Sequence, residues 1–380
     1  MTVERERVAE RAGQPRGPSG RVVGLDVARG LAVLGMFGAH LGTAGDLDWS
    51  PSTWASLVEG RSSILFATLA GVSIALLSGG GTPVTGAALG RARTRILVRA
   101  AWVFAIGGVL EVLHTFVAII LGVYAVLFVL ALPFLRWSPP RVLLLAGVIA
   151  VVGPPVVLEI GQWATAQQEE QSAFVFLMVT GYYPALIWWT FVLVGLAVGR
   201  LDLRSARVRA GLVAGGVTAA VLGYGGGWLS AQQVGAGPQV GAGPQVGAGQ
   251  RFGGMELGFA FEDEWDPVWF AGAEPHSGTP FELVGSVGVA VAVIGACLVL
   301  ADLVPWLVLP VAAVGAMALS VYTAQILAIW LLDLPVRAGW DVWVRFTVTA
   351  LVLATVWRLR LGRGPLERLL TWTSTRAAGP

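Results

Sequence analysis

The chain has 380 residues, of which 56% are hydrophobic and only 13% charged, with a mean hydropathy of +0.73. A soluble protein of this size carries roughly a quarter charged residues, so the composition is that of an integral membrane protein and excludes a soluble globular domain. Formal net charge is +2 and the pI is near 9.0, yet every basic residue is arginine and most flank apolar runs, where they set orientation; no nucleic acid partner is expected.

Residues 1–20 are charged, with no apolar core and no cleavage site, and read as a disordered cytoplasmic tail. Apolar runs of spanning length then recur ten times, at about 23–42, 62–78, 96–114, 116–135, 141–160, 182–200, 210–229, 281–301, 308–332 and 341–358. The expected fold is an all-α integral membrane bundle of about ten transmembrane helices, with both termini in the cytoplasm. Residues 21–360 form its membrane domain and 361–380 a cytoplasmic tail. Arginine placement supports the count. All but Arg29, Arg61, Arg251, Arg337 and Arg345 of the 25 arginines cluster in segments that ten spans put on the inside. An odd number of spans between two clusters would strand one of them outside.

The segment 230–280 then lies outside. It contains VGAGPQVGAGPQVGAGQ, a Gly/Pro repeat that cannot form a core and reads as a flexible linker. The acidic and aromatic stretch FEDEWDPVWFAGAEPHSGTPFE follows; it reads first as a solvated loop and second as a cover over a substrate. The lone Cys297 falls inside an apolar run, so no intrachain disulfide exists.

The first span, GLDVARGLAVLGMFGAH, keeps three ionisable residues. Asp26 and Arg29 are three apart and can pair on one face. Arg29 and His40 are eleven apart, within about 20° of whole turns, so all three share a stripe in which Arg29 and His40 are about 16 Å apart. A lipid-facing arginine would cost roughly 2.5–3.5 kcal/mol, so the stripe should face the bundle interior or a wet cavity. Glu59 and Arg61 flank the second span, Glu111 is three residues before His114, and Asp341 is four before Arg345, all near the depth of His40. Such an outer vestibule suits proton transfer or binding of a polar ligand. In ALSVYTAQIL, Ser320 and Thr323 share a face, as do Tyr322 and Gln325, for which interhelical hydrogen bonding is the plain reading. Walker, HExxH, CxxC and GxSxG motifs are missing, and no metal site is expected.

LDVARGLAVLGMFGAH resembles the first helix of the transmembrane acyltransferases, a group that includes the heparan-alpha-glucosaminide N-acetyltransferase-like proteins, bacterial inner-membrane O-acyltransferases and a ten-span bacterial branch. EGRSSILFATLAG, RAAWVFAIGGVLEVLH and GAMALSVYTAQIL resemble later motifs of the bacterial branch, so the resemblance runs from about 21 to 360 except for the loop 230–280. Two departures stand out. SPSTW has no histidine where the heparan-type enzymes carry one, and AIILGVY lacks an acidic residue common after the third helix. Acetylation of heparan itself is therefore not implied.

The resemblance implies a multi-pass cell-membrane enzyme that takes an acyl group, acetyl above all, from cytoplasmic acyl-CoA to a hydroxyl or amine of a glycan or glycolipid acceptor at the outer face. On that reading Asp26 and Arg29 bind the cofactor, and His40 is the general base, helped by Glu111 and His114. An acyl-histidine is the second mechanism. Glu59, Arg61, Tyr322 and Gln325 bind the acceptor, with Glu59 or Glu111 orienting the imidazole. The partners are the lipid bilayer, acyl-CoA and the acceptor, and a homo-oligomer stays open. The rival class is a multispan exporter of a small polar or lipid-linked substrate; no echo of the Asp-x-x-Arg stripe in the second half argues against the internal repeat it would often carry.

Overall fold

A computed structural model describes residues 21–42, 58–166, 172–233 and 270–379, together with the backbone of four two-residue strands between 245 and 260. The strands pair antiparallel as Gln245–Val246 with Phe259–Ala260 and Arg251–Phe252 with Met255–Glu256. The N-terminal tail, the SPSTW segment and most of the Gly/Pro repeat lie outside the described residues.

Everything else regular is helical. The helices are α1 Val23–Leu41, α2 Arg61–Leu77, α3 Gly86–Glu111, α4 Leu121–Ala131, α5 Pro139–Ala166, α6 Ala185–Val198 and α7 Ala206–Gln233. They continue as α8 Pro280–Leu303, α9 Pro305–Ala316, α10 Ala318–Leu331, α11 Trp340–Arg360 and α12 Pro365–Ala378. Proline begins α5, α8, α9 and α12, where its missing N–H costs nothing.

By length and hydropathy, α5, α7, α8 and α11 can each cross a membrane, and two bent pairs raise the number to six among the described residues. One pair joins the turns 173–180 to α6 at 61°, the other joins α9 to α10 at 72°. The ionisable residues of α1 and the arginines of α3 lower their hydropathy below that of a plain span, and α2 and α4 are short. The protein is thus a multi-pass, all-α membrane protein. Every apolar run of the sequence becomes a helix or a bent helix pair. The break within 305–332 falls at Met317 and not at Pro310, which α9 absorbs.

Small residues let the helices touch. A Cβ on Gly315 of α9 would collide with the Asp26 carbonyl of α1, and one on Gly30 would collide with the Val311 carbonyl. Gly195 of α6 stands likewise against the Thr68 carbonyl of α2. Backbones this close gain dispersion contacts that lipid cannot match. These two crossings join α1 to α9 and α2 to α6 closely, while α11 packs at the rim with about half of its residues exposed and only Ala354 buried.

Candidate functional site

The stripe on α1 exists, and each end opens on a different cavity. At one end, Asp26 is buried and accepts from Arg21 Nε and, at 2.8 Å, from Arg29 Nη1. Arg29 Nη2 donates to Ser73 Oγ of α2 at 3.0 Å. This pins the guanidinium between α1 and α2, so that it lines a cavity of about 360 Å³ together with Arg99 of α3. The rest of the wall is largely apolar, from Phe66, Tyr124 and Phe128 among others. Glu367 of α12 also lines it and accepts from the Ser320 backbone N–H (3.1 Å) and hydroxyl (2.6 Å). A carboxylate thereby sits at the positive end of α10. Two guanidiniums against one carboxylate, at a cavity whose remaining wall is mostly apolar, suit an anionic ligand with a long uncharged arm.

At the other end, His40 lines a cavity of about 220 Å³ with Glu59, Tyr182, Tyr183, His276 and Tyr322. Its Nδ1 is buried without a hydrogen-bond partner among the described residues, and Gln325 of α10 lies against the ring. The Gln325 amide approaches the His40 ring, and the Tyr322 hydroxyl the Ile120 backbone, without a bond of normal geometry among the described residues. Buried polar atoms are nearly always satisfied, so a concentration of open ones at a cavity suits a polar ligand. Glu59 pairs with Arg337 at 3.3 Å across the mouth.

The remaining candidates separate. Arg61 turns away, donating from Nε to the Tyr224 hydroxyl at 3.2 Å, and lines a different crevice with Glu282 and Ser286. Glu111 and His114 are exposed at the end of α3; the His114 ring bonds the Val112 carbonyl at 2.7 Å and neither residue lines the His40 cavity. Glu111 remains close enough to Tyr183 and Tyr322 to act on them electrostatically. Asp341 and Arg345 pair with each other on the exposed rim. Ser320 makes the interhelical contact expected of its face, to Glu367.

Three residues outside the expected set join His40. Tyr182 and Tyr183 project from the break before α6, which Gly181 and Pro184 punctuate. The helix enters that break through a π turn, Phe176–Thr180, a distortion frequent at functional sites. His276 comes from the acidic loop, 5.9 Å from the Tyr183 ring and 6.2 Å from that of Tyr182. Its φ of +65° is unusual for a histidine and is held by the start of α8. There Thr279 caps the helix by accepting from Glu282 N at 3.1 Å, and the Glu282 carboxylate accepts from the backbone N–H of His276 (2.9 Å) and Gly278 (2.7 Å). Removal from water pushes the His276 imidazole down to about 4, so it is neutral at physiological pH. Among the described residues no cluster of three or more His, Cys, Asp or Glu could hold a metal.

The family model for the heparan-alpha-glucosaminide N-acetyltransferase catalytic domain matches residues 21–226, more than half of the chain. The chain belongs to that family. No curated protein matches it. The matched span contains Asp26, Arg29, His40, Phe66, Tyr124, Tyr182 and Tyr183, whereas His276, Tyr322, Gln325 and Glu367 come from the part beyond it. Both cavities of this N-acetyltransferase family member are therefore completed by its own C-terminal third.

Proposed function

We propose that this protein is a membrane-bound acyltransferase that moves an acyl group, in the first place acetyl, from acyl-CoA in the Arg29 cavity to a hydroxyl or amine in the His40 cavity. The observation that carries this reading is the pair of cavities at opposite ends of α1, one cationic and one holding imidazoles. With about ten spans and both termini in the cytoplasm, the Arg29 cavity faces the cytoplasm, where acyl-CoA is made, and the His40 cavity faces outward from the cell membrane. The arginine clusters at 91–99 and 358–368 favour that orientation.

Arg29 and Arg99 would hold phosphate oxygens of the cosubstrate, with Asp26 keeping the Arg29 fork in place, while the uncharged arm extends until the thioester carbon reaches the acceptor beside His40. His40 would take the proton from the acceptor hydroxyl or amine as its oxygen or nitrogen bonds the acyl carbon. The electron pair of the broken carbon–sulfur bond leaves with the thiolate, and that proton is then lost to water. Gln325 orients the imidazole, while Tyr182, Tyr183 and Tyr322 offer aromatic faces and hydroxyls to a sugar or glycolipid acceptor. In this arrangement Glu59, bound to Arg337, supplies the carboxylate that lines the His40 cavity, whereas Glu111, His114 and Arg61 do not line it. The direct test is slow hydrolysis of acetyl-CoA by the purified protein in detergent, with water standing in for the acceptor. Turnover that disappears in His40→Ala supports the reading; turnover equal in both proteins, or none in either, removes it.

A further inference from the structure

The two cavities share their helices. On α2, Ser62 and Ser63 line the His40 cavity, whereas Phe66, one turn on, lines the Arg29 cavity. On α10, Tyr322 lines the first and Leu319, three residues earlier, the second. At the start of α4, Ile120 faces one cavity, and Leu121 and Tyr124 face the other. Three residues of helix rise about 4.5 Å, so the wall between the cavities is about one helical turn thick.

The wall is built on a pair of rings. Phe66 and Tyr124 stack with centroids 5.5 Å apart and planes at 23°. Tyr124 is almost fully buried, and its hydroxyl donates to the Ser63 carbonyl at 2.8 Å, tying one ring to the helix that carries the other. Arg29 and His40 stand about 16 Å apart along α1, one on each side. Both rings line the Arg29 cavity, within a turn of the Ser62 and Ser63 wall of the His40 cavity.

We infer that Phe66 and Tyr124 form a barrier between the cavities and set the largest acyl group the protein transfers. The inference rests on the acyltransferase reading for the acyl group, but the barrier itself is a property of the fold. An acetyl group can slip past a ring pair that shifts by a small rotation about χ1. A chain of eight carbons needs the rings displaced along its whole length, and displaced aromatic packing is costly in a dense interior. Tyr124, held by its hydroxyl, is the fixed half, and Phe66, only half buried and without a polar anchor, is the half that moves.

Two measurements on the full-length protein test this separately. The first compares hydrolysis of acetyl-CoA and octanoyl-CoA by the parent and by Phe66→Ala, with Phe66→Leu as the milder variant should alanine fail to fold. The parent should favour acetyl-CoA by roughly tenfold or more in kcat/KM, and the variant should bring the two esters to within about twofold. The second needs no turnover. In a Cys297→Ala background, Ser63→Cys is labelled with a charged maleimide in right-side-out and inside-out vesicles. Labelling should come from one face only, and adding Phe66→Ala or Phe66→Leu should permit it from both. Labelling from both faces without a change at Phe66 would overturn the barrier. Labelling as expected, with an acetyl preference untouched by either variant, would overturn the role in selection while leaving acyl transfer intact. One-sided labelling in a parent that hydrolyses neither ester would remove the acyltransferase reading, and the selection role with it.

Discussion

Asp26 is shared between two guanidiniums, that of Arg21 at the exposed start of α1 and that of Arg29 deeper in the bundle. Its side chain is 6% exposed and that of Arg29 22%. Replacing Asp26 by asparagine keeps one acceptor for Arg29 but removes the charge opposite it, and losing a hydrogen bond to a charged partner costs on the order of 1.5–3 kcal/mol. Asp26→Asn should therefore lower the melting temperature in detergent as well as acyl-CoA affinity. Arg29→Lys should fold better but still bind poorly, because one ammonium cannot meet Asp26 and Ser73 together in the fork geometry. A calorimetric titration with CoA reads this directly, and parent-like affinity in Arg29→Lys would deny the fork its role. His276 carries a pH prediction. Its imidazole ordinarily titrates at 6.5 and in the fold at about 4, so between those values the unfolded chain binds the additional proton. The stability that depends on a neutral His276 is full above about 6.5 and is lost as pH falls towards 4. Relative to the parent, His276→Gln should melt with a weaker pH dependence across that window and the same dependence above it. Parallel melting curves over the whole range would show that the ring is not held neutral.

At the scale of elements, the crossings of α1 with α9 and of α2 with α6 should be the least tolerant places in the chain. Gly315→Ala presses a methyl into the Asp26 carbonyl and should destabilise by about 1–3 kcal/mol, as overpacking does. Gly211→Ala in α7 meets nothing within 4 Å and should change stability by less than about 1 kcal/mol, in the favourable direction. Thermal unfolding of the two variants side by side checks the pair; equal shifts would mean that the crossing is not close-packed. Helix positions were legible in the sequence because apolar length and arginine punctuation are local. The Asp26–Arg29 pair was legible too, from its three-residue spacing. Breaks were harder. Gly181 and Pro184 mark one, but the second, at Met317, has no breaker residue at the break itself, and Pro310 lies inside α9. A chain can open there because Glu367, nearly fifty residues later, accepts the Ser320 N–H. Distance in sequence also hid the composition of the His40 cavity. His276 arrives through the Thr279–Glu282 cap, a pattern visible in SGTPFE, yet nothing local says which helix that loop will lie against. Glu111 and His114 show the converse: a spacing that puts them together on α3, but at a helix end that is exposed.

For the whole molecule, the proposed function requires the two ends of α1 to face opposite sides of a membrane. Reporter fusions after Arg91, Arg141 and Arg207 should read cytoplasmic, and fusions within 235–250 should read external. A fusion at Arg91 that reads external would put the Arg29 cavity on the wrong side for cytoplasmic acyl-CoA. The central claim is narrower than topology: that cosubstrate binding and proton transfer are divided between Arg29 and His40. Its most direct test measures CoA binding and acetyl-CoA turnover on the same preparation of His40→Ala. The division predicts parent-like CoA affinity with turnover reduced roughly a hundredfold or more, the usual contribution of a positioned base. A His40→Ala protein that binds CoA normally and turns over acetyl-CoA at the parent rate would contradict it.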